Sequence, residues 1–444
     1  MIRSLLLYSL CCLCACYARH DAIIKLPVHI QKSSQIYDLQ QHKLINSIMP
    51  NKLMDAASTA KIFTAVAAVE HFGMQFKYKT RLLSNAIVKS NTVHGDVFLQ
   101  FSGDPSLTVD KLSALFAKLN NVNKIKGNIV VVNKPGKLKY GPGWMLDDLK
   151  HCYAPHVSNM NLNNNCVTLI ADKNSKNKFD IKASIPNGVK INNKLYWQKK
   201  CKHFAKIIPD KDGYSWQGCL SRPHFADEVA VNDMSRWVKS GVKLALKKAN
   251  IQLDGKVLFR NFQLNSKYSI NFFIESIDLD TMLKMVLKDS DNLVSSSLFL
   301  SFDSRSWYKS KQWLHKFLNL HDIDNLNLVD GSGLSRFNKI SAANLLSILK
   351  IIANNNYLYV NIANNLAVFG KDGTLEHSNI NIPKDIKIVG KTGSMSGVDA
   401  ICGYVLQHNK PRLIYVLILN SAIFDKNVMR RYRDKWLENL VKLI

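Results

Sequence analysis

The sequence predicts an α/β (α+β) protein: an antiparallel sheet flanked by helices, interrupted by a long, mainly β insertion. Three observations predict it. "STAKIFTAVAAVEHFG" (58–73) reads as a helix, because Ile62, Val66 and Val69 recur at helical spacing and Gly73 supplies a stop. From about residue 85 to 265 the pattern changes to short β-like runs, such as "GDVFLQFSG" and "GNIVVVN", separated by Gly, Pro and Asn turns. Near the end, "IKIVGKTG", "DAICGYVLQ" and "RLIYVLILN" are three β-rich runs joined by short turns, which makes them antiparallel neighbours.

The chain has 444 residues, 47% hydrophobic and 21% charged, the composition of a folded globular protein with room for about three domains. Lys and Arg outnumber Asp and Glu by 60 to 33, a formal charge of +27 that favours anionic partners and says nothing about fold. Arg3 followed by an apolar stretch from Leu5 to Cys16 has the form of a secretory signal over residues 1–18, too short to span a bilayer. Cleavage after Ala18, lipidation of Cys16 in "LCAC" and a retained N-terminus are the open readings. No later apolar run reaches the roughly 18 residues of a transmembrane helix.

Export agrees with the cysteines. Four of nine lie in the signal, and Cys152, Cys166, Cys201 and Cys219 form two local clusters whose internal pairing closes short loops in an oxidising compartment. Metal ligation is the competing reading, but the spacings are not C-x-x-C and no His cluster completes a site. Cys402, in "AICGYVL", reads as a buried core residue.

Along the chain, "PGKLKYGPGW" (135–144) is irregular, and "DTMLKMVLKDSDNLVSSSLFLSF" (280–302) reads as helical straight through Ser290, Asp291 and Asn292. "NVMRRYRDKWLENLVKLI" (427–444) is a basic amphipathic helix, suited to a membrane surface or to packing on the sheet. Asn-rich pieces such as "NLNNNC" reflect composition, and there is no internal repeat.

Three short motifs occur in order: Ser58-x-x-Lys61, Ser290-Asp291-Asn292 and Lys391-Thr392-Gly393. Each alone is weak. Together they are the set of active-site serine β-lactamases and penicillin-binding proteins. Ser58 and Lys61 lie one helical turn apart on one face. Lysine has an ordinary pKa of about 10.4, and removing about 3 units, roughly 4 kcal/mol, makes it a base at neutral pH. Partial burial and a second cation, Lys391, can supply that. Ser290 can then pass the proton to a departing amine, and Asn292 can hold a substrate amide. Lys391, Thr392 and Ser394 can hold a terminal carboxylate. A lone lysine on an apolar face is by default a snorkelling one; these companions change the reading.

With "FSGDPSL" (101–107), "PGW" (142–144), "KDSDNLVSSSLF" (288–299), "LVDGSGLSRFN" (328–338) and "GKTGSMSGV" (390–398), the whole mature chain resembles the class C low-mass penicillin-binding proteins, the penicillin-binding protein 4-like D-alanyl-D-alanine carboxypeptidase/endopeptidases of serine peptidase family S13. The resemblance implies a transpeptidase-like domain from 19–80 and 265–444, an inserted domain from 81–168 and 226–264, and a nested domain from 169–225. It implies peptidoglycan stem peptides ending in D-Ala as substrates, β-lactams as covalent inhibitors, no cofactor or metal, and a periplasmic location with peripheral membrane association as an option. It implies an oxyanion hole from the backbone N–H groups of Ser58 and Ser394, with Gly393 among the substrate-binding residues. It also supports the pairs Cys152–Cys166 and Cys201–Cys219, leaving Cys402 free.

Nucleic acid is excluded, because no basic stripe with aromatics or known module occurs. A β-lactamase of class A needs a deacylating glutamate between the second and third motifs; Glu376, the one glutamate there, lies too close to Lys391. A non-catalytic peptidoglycan-binding scaffold is the other alternative. The substrate's third residue is read from a departure. Members acting on diaminopimelate-type peptidoglycan carry an aspartate and an aromatic in the inserted domain, an arginine after Asp-Gly-Ser-Gly, and a glutamine beyond Lys-Thr-Gly. Here Arg336 is kept, while the other places read Asn163, Val167 and Ser396, with Asp172 as a substitute acid nearby. A weakened preference for diaminopimelate is the expectation.

Overall fold

A computed structural model describes residues 26–133, 140–202, 204–261, 263, 267–378, 380–423 and 426–444. The expected signal segment 1–18, with Cys16, lies outside these residues, as do positions 135–139 of the irregular segment at 135–144. No helix among the described residues is long and apolar enough to cross a membrane.

The three C-terminal β runs form strands Ile386–Met395, Val398–Gln407 and Lys410–Ser421, antiparallel as expected. They sit in a six-stranded sheet whose order runs Ala367–Val368, Ile386–Met395, Val398–Gln407, Lys410–Ser421, Ile30–Asp38, Lys43–Ile48. The first long strand thus pairs with the last, from Ile30 opposite Ser421 to Asp38 opposite Leu413. One sheet face is covered by helices, among them Lys61–Phe72, Leu279–Leu287, Asn292–Ser301 and Ala342–Asn354. The C-terminal helix Lys426–Val441 covers the other. Its apolar side, Met429, Tyr432, Trp436, Leu437 and Leu440, is buried against the sheet, so it packs there rather than offering that side to a membrane.

The helix Lys61–Phe72 departs from a simple amphipathic reading. Every residue from Lys61 to Val69 is buried, because small alanines let helices close in on all sides. The segment read as one helix through 280–302 is two. Helix Leu279–Leu287 ends, Ser290 takes a left-handed φ of 65°, and Asp291 caps a new helix at Asn292 by accepting from the Val294 N–H at 2.8 Å. Aspartate competes with the helical backbone and favours a cap, which periodicity alone misses.

The middle region forms its own core. A five-stranded sheet runs Val257–Arg260, Ile129–Val132, Val97–Gln100, Lys79–Ser84, Ile270–Glu275. The strand Ile270–Glu275 belongs to this sheet although it follows the expected division at 265, because its whole length pairs with Lys79–Ser84. A four-stranded sheet of short strands, Gln252–Leu253, Lys124–Ile125, Thr92–His94 and Ile87–Lys89, and two three-stranded sheets complete the region, one of the latter built on Cys166–Lys173 and His224–Ala230.

Cys152 is bonded to Cys166 and Cys201 to Cys219, while Cys402 is free and buried. Each bridge closes a loop of about 15 residues, a stabilisation on the order of 3 kcal/mol in the chain-entropy model. Non-reducing peptide mapping should recover these two pairs, with the Cys402 thiol alkylated only after denaturation. A cross-linked Cys166–Cys201 peptide would contradict the fold.

Candidate active site

Three backbone segments converge on Ser58. It lies in the 3-10 turn Ala57–Ala60, and Lys61 opens the following helix. Ala57 holds a φ of 45°, an uncommon conformation for a residue with a Cβ and one that clusters at functional sites. The strand bearing Lys391 presses on this turn. A Cβ at Gly393 would stand 2.4 Å from the Ala56 carbonyl oxygen and 3.0 Å from the Ser58 nitrogen. On another side, a Cβ at Gly333 would stand 2.0 Å from the Ala57 carbonyl oxygen, and Gly333 has a φ of 85°. Only glycine allows either approach.

Lys61 is completely buried. Its Nζ donates to Ser58 Oγ at 2.9 Å, to Asn292 Oδ1 at 2.5 Å and to the Ser332 carbonyl at 2.6 Å. Burial drives its pKa well below the ordinary lysine value and the Lys391 charge adds to that, against the opposing pull of Asp330 and Asp291. A neutral Lys61 has two N–H groups and one lone pair. Asn292 Oδ1 and the Ser332 carbonyl can only accept, so the lone pair is satisfied only if it faces Ser58, the one partner with a proton to give. That arrangement sets the direction of proton transfer.

Lys391 is also fully buried, and its Nζ donates to Ser290 Oγ and to the Thr392 carbonyl, both at 2.9 Å. Burial lowers its pKa to about 7, with Cys402, its cross-strand neighbour, and Asp289 pulling weakly upward. Ser290 therefore stands beside the second lysine, and its left-handed backbone is what brings it there. Thr392 Oγ1 donates to Thr374 Oγ1 at 2.7 Å, and Ser394 is exposed on the same strand, opposite Asp399. Asp399 is buried and paired with Arg433 of the C-terminal helix at 3.0 Å, which ties that helix to the strand pair behind the site.

The loop that supplies the Ser332 carbonyl is held from within. Asp330, buried, accepts from Trp144 Nε1 (2.6 Å), the Gly333 and Ser335 N–H groups (2.8 and 3.1 Å), Asn338 Nδ2 (2.8 Å) and Ser332 Oγ (3.2 Å). Sequence reasoning quoted this Asp-Gly-Ser-Gly stretch but assigned roles to neither Asp330 nor Ser332. Two glycines around an aspartate and a serine were the available signal.

Ser58, Lys61, Ser290, Asn292 and Lys391 are brought together by this network; the residues read for the substrate's third side chain are not. Arg336 and Ser396 do meet, since Arg336 Nη2 donates to the Ser396 carbonyl at 2.7 Å while Nη1 lies 3.6 Å from Asp55. Asn163 lies elsewhere, on a cavity of about 500 Å³ beside Ser290 and Asn292, and its Oδ1 is occupied by the Val109 N–H at 2.8 Å. Val167 is buried in the inserted core and faces no substrate. Asp172 is tied to Lys182 and His224 near the end of the central strand of its sheet and does not line this cavity, whereas Asp289 and Glu228 do. Neither acid was identified from sequence, because they come from segments that no motif links.

Comparison with known proteins gives a consistent neighbourhood. Residues 22–440 match the family described as D-Ala-D-Ala carboxypeptidase 3 (S13). The chain is 27% identical over 429 residues to the D-alanyl-D-alanine carboxypeptidase DacB of Haemophilus influenzae, covering 90% of this chain and 88% of that one. The crystal structure of penicillin-binding protein 4 (dacB) from Haemophilus influenzae is similar at a TM-score of 0.81 and 26% identity, covering 94% and 97% of the two chains. A structure of the same Haemophilus protein in complex with a β-lactam is similar at a TM-score of 0.75 and 25% identity, with the same coverage. The predatory peptidoglycan endopeptidase Bd3459 of Bdellovibrio bacteriovorus shares the fold, at a TM-score of 0.56 and 14% identity over 95% of this chain and 94% of that one.

The lysines have a stability signature. Between about pH 7 and the unfolded value near 10.4, the unfolded chain binds a proton at Lys391 that the folded chain does not, so stability rises with pH across that window. Lys391→Met should flatten this rise. It should also make the protein more stable at pH 7, by on the order of 4 kcal/mol less the value of two lost hydrogen bonds. Urea unfolding at pH 7 and pH 9 checks both.

Proposed function

The chain belongs to the D-Ala-D-Ala carboxypeptidase 3 (S13) family, and on that premise we propose that Ser58 is its acylated nucleophile and Lys61 the base that activates it. It is a serine-type D-alanyl-D-alanine carboxypeptidase of peptidoglycan, with endopeptidase activity on cross-links as a second capacity of the same site. The observation that carries the residue assignment is the three-acceptor cage around Lys61, of which only Ser58 can return a proton.

In this reading Ser58 Oγ attacks the carbonyl of the terminal D-Ala-D-Ala bond and gives its proton to Lys61. The oxyanion meets the N–H groups of Ser58 and Ser394, the former beside the Gly393 approach. Ser290, hydrogen-bonded to Lys391, relays the proton to the leaving D-alanine amine. Lys391, Thr392 and Ser394 hold the terminal carboxylate. The bound carboxylate favours the protonated form of Lys391, so substrate itself supplies the charge that the empty site disfavours. Water then releases the shortened peptide. β-Lactams enter as the same acyl donors. Glu376 is exposed at the end of the turn Gly373–Leu375, so it does not take the place of the deacylating glutamate of a class A β-lactamase. The charge of +27 suits a periplasmic protein among stem-peptide carboxylates.

For the third residue of the stem peptide, Glu228 and Asp289 are the carboxylates available to an ammonium on the cavity wall. Both are exposed, so each contributes at most about 1 kcal/mol. We keep a weakened preference for diaminopimelate as the proposal, carried by Glu228 and Asp289 in place of Asn163 and Val167.

Ser58→Ala should abolish labelling by a fluorescent penicillin while moving the melting temperature by only a few degrees; persistent labelling would remove the assignment. Mass spectrometry of muropeptides after incubation with the purified protein should show loss of terminal D-alanine. kcat/KM should favour a peptide with diaminopimelate over one with an uncharged third residue by less than a hundredfold. A larger ratio would mean that the two exposed acids, or another group, bind the ammonium far more strongly than solvated carboxylates do.

A further inference from the structure

Asn292 has two jobs for one amide. Its Oδ1 accepts from Lys61 at 2.5 Å, and its Nδ2 donates to the backbone carbonyl of Tyr153 at 2.7 Å. The two contacts together decide which end of the amide faces the lysine. Tyr153 is 139 residues away in sequence and lies in a stretch without regular secondary structure, next to Cys152. What holds that stretch is a set of tethers. Cys152 is bonded to Cys166, the first residue of strand Cys166–Lys173, where Cys166 pairs with Ala230 in the ladder. The Ala230 N–H also donates to the Lys150 carbonyl at 2.9 Å. The Tyr153 hydroxyl donates to Asp148 at 2.6 Å, and its ring stacks on His151 at 5.2 Å. Cys152, Tyr153, Cys166 and Asn292 all border the same cavity.

We propose that the Cys152–Cys166 bridge and Tyr153 are positioning elements of the catalytic site: they fix a backbone carbonyl of the inserted region where it orients the Asn292 amide, and through it Lys61. This rests on the assignment of Lys61 as base. The bridge anchors an irregular segment to a strand whose hydrogen-bonded ladder cannot slide. Without it, the Tyr153 carbonyl loses its fixed place, the amide is free to turn, and an N–H donor can replace the oxygen beside Lys61. A donor facing a donor disfavours the ammonium, so the Lys61 pKa falls further as its geometry toward Ser58 degrades. The Cys201–Cys219 bridge has no such route, since it lies within a separate three-stranded sheet and does not border the cavity.

The test is the second-order rate constant of acylation by a fluorescent penicillin, measured across pH for three disulfide-defined variants. Cys152→Ser with Cys166→Ser should acylate about tenfold more slowly, the scale of a sub-ångström to ångström displacement of a catalytic group. Its ascending pH limb should move to lower pH. Cys201→Ser with Cys219→Ser should acylate at the parent rate. Tyr153→Gly, which keeps the bridge and the carbonyl but frees the backbone and removes both side-chain tethers, should slow acylation in the same direction; it serves if the first variant does not fold. General loosening would instead admit water to Lys61 and move the limb to higher pH. A limb that stays in place or moves upward overturns the proposal, as does acylation within twofold of the parent by both the bridge variant and Tyr153→Gly. Failure of the underlying assignment is separately visible, because Lys61→Met would then still be acylated at close to the parent rate.

Discussion

A lysine with no water around it is the constraint on which the site depends. Lys61 is buried on a helix whose neighbours are alanine, valine, isoleucine and phenylalanine, and an ammonium there is costly unless every N–H finds an oxygen. The three oxygens come from three different parts of the chain: the turn before the helix, the start of the helix at Asn292, and the loop centred on Asp330. Each must be delivered to within hydrogen-bonding distance of one atom. The glycines at 333 and 393, the left-handed backbone at Ala57 and Ser290, and the five donors that lock Asp330 are means to that end. Rigid scaffolding and a displaced pKa are two aspects of one arrangement.

The second lysine extends the same logic along the sheet. Lys391 sits on the strand opposite the buried Cys402 and is lowered by burial as well, so one buried amine stands at Ser58 and another at Ser290. Two positive charges in so small a volume are mutually unfavourable. In the proposed reading Lys61 stays neutral, and Lys391 takes the charge when a carboxylate arrives to balance it. Charge on the ligand and basicity on the enzyme are thus linked, without a moving part.

Much of this was legible in the sequence. The three C-terminal strands alternated too clearly with turns to be anything else, and the three motifs singled out five side chains that the fold brings together. Other parts were hidden for physical reasons. The break at Ser290 was invisible to periodicity, since apolar spacing continues on both sides of it. Asp330 and Ser332 act through a carbonyl and a buried carboxylate, and neither interaction has a spacing rule. Asn163 and Val167 were read as one subsite, although Asn163 lies in a short 3-10 turn and Val167 in the strand that follows it. There a shift of one residue sends a side chain from cavity to core, which is where Val167 is found. Glu228 and Asp289 meet only because a strand of the inserted region lies beside the turn before Asn292, a contact between segments about 60 residues apart.

The sheet that carries Lys391 closes by pairing Ile30–Asp38 with Lys410–Ser421. Nearly the whole chain lies between these partners, while the strands between Lys79 and Glu275 pair only with one another among the described residues. A chain emerging from its N-terminus can finish the insertion long before its first strand has a neighbour. During that interval the edge of Ile30–Asp38 and the apolar helix beginning at Lys61 are uncovered, and both are surfaces on which chains aggregate. The surroundings of Ser58 are thus completed only when the strand Lys410–Ser421 reaches its partner, and the first strand must wait for it.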